Sequence, residues 1–270
     1  WSSDVCSSDL WSPAQQLTTD STRDYNPTIV QTDSGALSVA WDSYRSGNRD
    51  IWHRTSTDGG ATWSTADQLT SDMASDYGPA MMRASNGTLW LVWYSSRSGN
   101  AHIWYKTSAD SGATWSAAQQ LSTDAGWDGV PTIAEAADGT VWVVWERYGN
   151  LWYRTFSGSS WTTEAQLVNG GDWSYAPTML GAADGTLWLM WYRYTYYGTQ
   201  LWYKSSGNDG TTWTPETQWT RFAGYDRCPA LAALDDGSAA VAWYSDRAGQ
   251  YDVWFGALGR REDVNPPPHV

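Results

Sequence analysis

Positive charge is scarce in this chain. Sixteen lysines and arginines face 29 aspartates and glutamates, for a formal net charge of −13, and no basic run occurs. That balance speaks against a nucleic-acid partner, because the phosphate backbone needs a positive face. Long apolar runs are missing too, so no membrane span is expected. Cysteine is limited to Cys6 and Cys228, which provides no disulfide framework. His53, His102 and His269 form no ligand cluster, and pairs such as Asp20 with Asp24 offer too few oxygens for calcium. Neither a metal nor another cofactor is expected. No Gly-rich phosphate loop and no nucleophile elbow is present.

What the chain does have is repetition. Strings opening on tryptophan recur as "WSPAQQLTTD" at Trp11, "WSTADQLTSD" at Trp63, "WSAAQQLSTD" at Trp115, "WTTEAQLVNG" at Trp161 and "WTPETQWTRF" at Trp213. The spacings are 52, 52, 46 and 52 residues. Each unit holds four strand signals separated by turn residues; the first reads "PTIVQT", "ALSVAW", "DIWHRTS", "TWSTADQLT". Four strands in about 50 residues describe a blade of a β-propeller, with strands a to d running from axis to rim. The pattern predicts an all-β, five-bladed propeller over 11–259. An N-terminal strand from Trp11 to Thr18 is expected to complete the last blade and close the ring. Residues 1–10, "WSSDVCSSDL", resemble translated adapter sequence fused to an environmental gene fragment, and are set aside as non-native. Residues 260–270 lack the blade pattern and read as a linker-like tail.

The turn between strands c and d carries Ser-x-Asp-x-Gly-x-Thr-Trp in full twice, as Ser56, Asp58, Gly60 and Trp63 and as Ser108, Asp110, Gly112 and Trp115. A third copy has Asn208 for the aspartate, and the copy ending at Trp161 has lost most of the motif. This string resembles the Asp-box, or BNR repeat, of the sialidase-like propellers, and the repeats extend the resemblance over nearly the whole chain. A motif repeated blade after blade is a structural fastener: Asp and Ser bond turn amides, Gly permits positive φ, and Trp plugs the gap between sheets. It marks one face as the bottom. The opposite face, where the d–a and b–c loops meet, is then the working face.

On that face, positions that depart from their siblings are the functional candidates. Trp127 and Trp173 lie four residues before the proline that opens strand a, and Tyr225 has the same slot in the next blade. With Tyr196 and Tyr197 of the loop "YRYTYYG" they predict an aromatic crescent suited to sugar rings. The slot two residues before the proline reads Tyr25, Tyr77, Gly129, Tyr175 and Arg227. "RCPAL" around Arg227 resembles the Arg-x-Pro motif whose arginine helps grip a sugar carboxylate in sialidases, although that motif normally lies near the domain start. After the strand-b tryptophan, Asp42 and Glu146 replace a tyrosine, and paired carboxyls are what glycoside hydrolysis requires. The aspartates at the strand-a entrances recur and read as turn caps; the loop arginines Arg45, Arg97, Arg147 and Arg247 recur and read as structural. The expectation is a secreted, monomeric, glycan-recognising propeller. The extracellular location rests on an acidic, Trp- and Tyr-rich, lysine-poor composition, with no signal visible in this chain. The rivals are a glycoside hydrolase using Asp42 and Glu146, or a sialidase-type site at Arg227. A lectin with one pocket per blade and a protein-interaction scaffold are further alternatives.

Overall fold

The computed structural model describes residues 14–32, 34–169, 173–196 and 198–259. They form five antiparallel sheets arranged as propeller blades, with no helix among the described residues. The first blade is β1 (Asp24–Gln31), β2 (Leu37–Ser43), β3 (Asp50–Ser56) and β4 (Asp67–Gln68). The second is β5 (Asp76–Arg83), β6 (Leu89–Ser98), β7 (Asn100–Ser108) and β8 (Gln119–Gln120), and the third is β9 (Asp128–Glu135), β10 (Val141–Arg147), β11 (Asn150–Phe156) and β12 (Ala165–Val168). The fourth is β13 (Ser174–Gly181), β14 (Leu187–Thr195), β15 (Gly198–Ser206) and β16 (Thr217–Gln218). In the fifth, β17 (Asp226–Ala233), β18 (Ala239–Ser245) and β19 (Asp252–Leu258) make a three-stranded sheet among the described residues. The strand expected to complete it begins at Trp11, outside the described residues. Its described part, 14–19, carries no strand, and the Leu17 carbonyl accepts a hydrogen bond from Arg54 of β3 at 2.5 Å.

The outer strands are shorter than the sequence pattern suggests. Ser64 N–H bonds the Thr55 carbonyl at 2.9 Å, and the ladder resumes only at Asp67. The reason is the turn just before it, which is built from side chains. Ser56 Oγ donates to Asp58 Oδ1 at 2.8 Å and accepts from Gly60 N–H at 2.8 Å. Thr62 donates its N–H and Oγ1 to the two Asp58 oxygens, and Trp63 Nε1 donates to the Gly60 carbonyl. Ser108 and Asp110 repeat the arrangement around Gly112 and Thr114, and Ser206 with Asn208 repeats it around Gly210 and Thr212. Gly60 and Gly112 sit at φ of +93° and +90°, a region other residues enter at a cost. Each Asp-box thus ties its own turn through side-chain hydrogen bonds to backbone N–H groups.

Burial is concentrated between blades. Ile103 and Trp90 of the second blade meet Val143 and Trp145 of the third, and Leu151 with Trp142 meets Leu189 and Trp191 of the fourth. Trp93, Trp145 and Trp191, one per strand b, are wholly buried. Beside each lies a second repeated unit that the sequence reading assigned only in part. Arg45, Arg97, Arg147 and Arg247 return from the b–c loop or the end of strand b to Asp24, Asp76, Asp128 and Asp226. These aspartates therefore serve as counterions rather than turn caps. Each guanidinium also lies over the tryptophans of strands b and c; Arg147 is 5.7 Å from the Trp145 ring and 4.8 Å from the Trp152 ring. In the fourth blade Ser174 replaces the aspartate, and Arg193 turns to Glu216 at 2.5 Å instead. The buried charges of this repeated unit are paired, as a low-dielectric interior demands.

Candidate functional site

Strand a of every blade opens on a bulge. Tyr25 pairs with Asp42 and Thr28 with Ala40, so two residues of β1 oppose one of β2, and the same shift recurs in the other four blades. The residue before the proline takes a positive φ each time: Asn26 at 50°, Gly78 at 57°, Val130 at 45°, Ala176 at 45° and Cys228 at 48°. Four of these five are not glycine, and such backbone costs about 1–3 kcal/mol per residue. Strain of this kind gathers at functional sites, and bulges re-aim side chains. Here the bulges sit at the loop face, opposite the Asp-boxes.

The bulges set five cross-strand pairs around the mouth of the propeller: Tyr25 with Asp42, Tyr77 with Tyr94, Gly129 with Glu146, Tyr175 with Tyr192, and Arg227 with Tyr244. Both slots were visible in the sequence; their direct pairing was not. Two aromatic arcs result. In the first, the Arg49 guanidinium lies 4.1 Å from the Tyr25 ring and 5.0 Å from that of Tyr77, which stacks on Tyr94 at 5.2 Å. Tyr94 meets Trp127 edge-on at 6.1 Å. In the second, Trp173 stacks on Tyr175 at 6.0 Å, Tyr175 meets Tyr194 at 5.4 Å, and Arg227 lies over Tyr194 and Tyr225 at 5.6 and 4.7 Å. Trp127, Trp173 and Tyr225 are 52%, 59% and 40% exposed, so each shows a ring surface at the rim above a more buried neighbour. Tyr196 projects almost fully into solvent. Tyr197 lies outside the described residues.

Asp42 and Glu146 flank Tyr94, whose phenol is pushed up to about 12 by burial first and by both carboxylates after it. Their environments differ. Asp42 is wholly buried and accepts from Asn26 Nδ2 at 2.8 Å and from Gly78 N–H at 3.0 Å, with Arg49 Nε at 2.9 Å. Burial raises its pKa, and these three partners oppose the rise. Glu146 also accepts from the bulge of the next blade, at the Ala176 N–H, but has no cation beside it among the described residues; burial pushes it up to about 7. Opposite it Gly129 carries no side chain, and a Cβ there would come 3.5 Å from Trp127. The residues that the sequence reading did not select are Arg49, Tyr25, Tyr77, Tyr94, Tyr175, Tyr192 and Tyr244. Arg49 belongs to no repeated slot, and the tyrosines recur, which made them look like scaffold. Cavities of about 240 and 330 Å³ lie elsewhere, around Thr70 with Lys106 and around Thr123 with Arg154. Among the described residues no cluster of His, Cys, Asp and Glu is placed to hold a metal ion, and no helix is long and apolar enough to cross a membrane.

No curated protein matches the sequence. Solved structures share the fold at low identity. A protein of unknown function from Dyadobacter fermentans is 15% identical, with a TM-score of 0.67 over 87% of this chain and 75% of its own. The α-L-arabinanase of Penicillium chrysogenum, complexed with arabinobiose, is 18% identical, with a TM-score of 0.64 over 88% and 77%. The NanB sialidase of Streptococcus pneumoniae is 13% identical, with a TM-score of 0.62 over 83% of this chain and 53% of its own. The sequence profile of the BNR repeat-like domain matches residues 35–261. With its Asp-box turns and propeller architecture, the chain belongs to the BNR repeat-like family.

Proposed function

We propose that this protein binds a glycan at the loop-face mouth. The observation that carries the reading is the pair of aromatic arcs, with half-exposed Trp127, Trp173 and Tyr225 at the rim and Glu146 and Arg227 in the same wall. Aromatic faces stack on the apolar faces of sugar rings, while a few charged groups orient the hydroxyls. A neighbour of the same fold is complexed with arabinobiose, and another is a sialidase, which adds support. We also propose an extracellular location, on the acidic, Trp- and Tyr-rich, lysine-poor composition alone. Saturation-transfer NMR against pooled neutral, uronic-acid and sialylated oligosaccharides tests the reading. Transfer to a sugar is expected, and it is expected to disappear in Trp127→Ala or Trp173→Ala. Silence across the whole panel overturns it and favours a protein-interaction scaffold.

A second reading, hydrolysis of the bound glycan, is favoured by the contrast between the two carboxyls. Glu146, with a pKa of about 7 and no cation beside it, is suited to donate a proton to a leaving oxygen at neutral pH. Asp42, held by Arg49, Asn26 and the Gly78 N–H, would remain the charged partner. New anomeric signals growing over a day in the same NMR samples, and lost in Glu146→Gln, would establish it. Saturation transfer without new signals would leave binding alone.

A further inference from the structure

Asp42 and Glu146 hold the same place on strand b of the first and third blades, but their surroundings differ at two positions. Across from Asp42 stands Tyr25, and across from Glu146 stands Gly129. Three residues before the strand-c tryptophan, the first blade has Arg49 and the third has Gly149. In the first blade these side chains complete a set. The Arg49 guanidinium reaches Asp42 at 2.9 Å and lies 4.1 Å from the Tyr25 ring. In the third blade both side chains are missing. Glu146 is only 7% exposed, yet among the described residues no cation pairs with it.

Two tryptophans from the loops ahead of strand a lean on these two glycines. A Cβ at Gly129 would lie 3.5 Å from the Trp127 ring, and one at Gly149 would lie 3.2 Å from that of Trp173. Both indoles are half exposed. The neighbouring blades add phenols. Burial first and the Glu146 charge second push up the Tyr175 phenol, and the same charge acts, behind burial, on Tyr94 and Tyr192. Glu146 is thus a carboxylate among aromatic rings, in a chain of net charge −13, holding one hydrogen bond from the Ala176 N–H. A carboxylate withdrawn from water calls for a cation, and ring faces attract one. Rings of this mouth already carry cations elsewhere: Arg49 lies over Tyr25 and Tyr77, and Arg227 over Tyr194 and Tyr225.

We infer that the glycan bound at this mouth carries a free amino group, whose ammonium takes beside Glu146 the place that Arg49 has beside Asp42. The inference rests on the glycan reading above and narrows it to amino sugars. A primary ammonium has three N–H donors, so it can pair with the carboxylate and still bond the phenol oxygens around it. A hydroxyl in its place leaves the buried carboxylate unpaired, and an acetamido group offers a neutral amide where a cation is needed. Trp127 and Trp173, resting on the two glycines that frame Glu146, offer ring faces to the sugar units on either side. That suits an oligosaccharide better than a small isolated amine. The bound ammonium holds Glu146 ionised, so the inference goes with binding rather than with proton donation.

Isothermal titration of the full chain at neutral pH tests this with tetrasaccharides of glucosamine, N-acetylglucosamine and glucose. They share one linkage and differ only in the amino, acetamido or hydroxyl group of each unit. The glucosamine oligomer is expected to bind roughly ten-fold or more tightly than the other two, the worth of one charge-assisted hydrogen bond. Glu146→Gln should bring it down to the level of the glucose oligomer. Gly129→Arg should do the same with the carboxylate still in place, by supplying a cation from across the strand pair. The fifth blade carries Arg227 in that slot, so the substitution suits the fold. Equal or tighter binding of the glucose or N-acetylglucosamine oligomer overturns the inference and leaves glycan binding standing. No heat from any of the three overturns it as well, and the pooled oligosaccharide panel then decides glycan binding by itself. A glucosamine preference that survives both substitutions reflects the net charge alone and overturns it. Spermidine binding as tightly as the glucosamine oligomer also overturns it, in favour of a site for amines that are not sugars.

Discussion

Glu146 of the third blade accepts a hydrogen bond from the backbone N–H of Ala176 in the fourth. Asp42 makes the corresponding bond to Gly78 of the second blade. In both cases a carboxylate reaches a left-handed residue of the neighbouring bulge, so the same contact that joins two blades also shapes the mouth. The two acids differ in what else they meet. Arg49 stands beside Asp42, and among the described residues no cation stands beside Glu146.

That difference gives Glu146 a stability signature. Its pKa lies at about 7 in the fold and 4.5 as a free side chain. The folded state therefore holds the proton more tightly than the unfolded chain, and its contribution to stability is present below pH 4.5 and lost as pH rises toward 7. Glu146→Gln is expected to be more stable than the parent at pH 8, by up to about 3 kcal/mol, and nearly equal to it at pH 4. Urea unfolding at the two pH values checks this.

His53 behaves in the opposite sense. Burial lowers its pKa from 6.5 to about 4, and its Nε2 lies 2.7 Å from Ser38 Oγ. The unfolded chain binds the proton more readily, so the fold loses stability as pH falls from 6.5 toward 4, by about 3 kcal/mol in all. Thermal melts of the parent and of His53→Gln across that range should converge at acid pH if this histidine is responsible.

The Arg147–Asp128 pair should be expensive to break. Both side chains are buried, and Arg147 also holds Glu164 at 2.8 Å. Arg147→Met leaves the Asp128 carboxylate without its guanidinium and is expected to cost about 3–5 kcal/mol, measured by equilibrium unfolding. Arg45→Met, at a more exposed copy of the same unit, should cost less.

The Asp-box offers an internal control. Asp58 is held down to about 2 by hydrogen bonds from Thr62 and Ser56, yet Asn208 builds the same turn without a charge. Asp58→Asn should melt close to the parent and Asp58→Ala clearly below it. Equal melting of all three would show that the turn does not depend on these bonds.

Much of this molecule was legible from sequence because it is written several times. A period near 52 residues, a tryptophan at fixed phase and a motif with Gly where positive φ is needed specify the blade, its turns and its direction. Repetition also identified Trp127, Trp173, Asp42 and Glu146 as departures from a pattern. Tertiary structure decided the rest. Direct cross-strand pairing turned Tyr25, Tyr77, Tyr94 and Tyr175 from apparent scaffold into the wall of the mouth, because a bulge shifts register by one residue and no local signal marks where a side chain then points. It assigned the strand-a aspartates to arginines some 20 residues away, a pairing set by burial of charge. It also left Ile29, Val253 and Phe255 exposed, since sequence can show that a residue is apolar but only packing shows whether another surface lies against it.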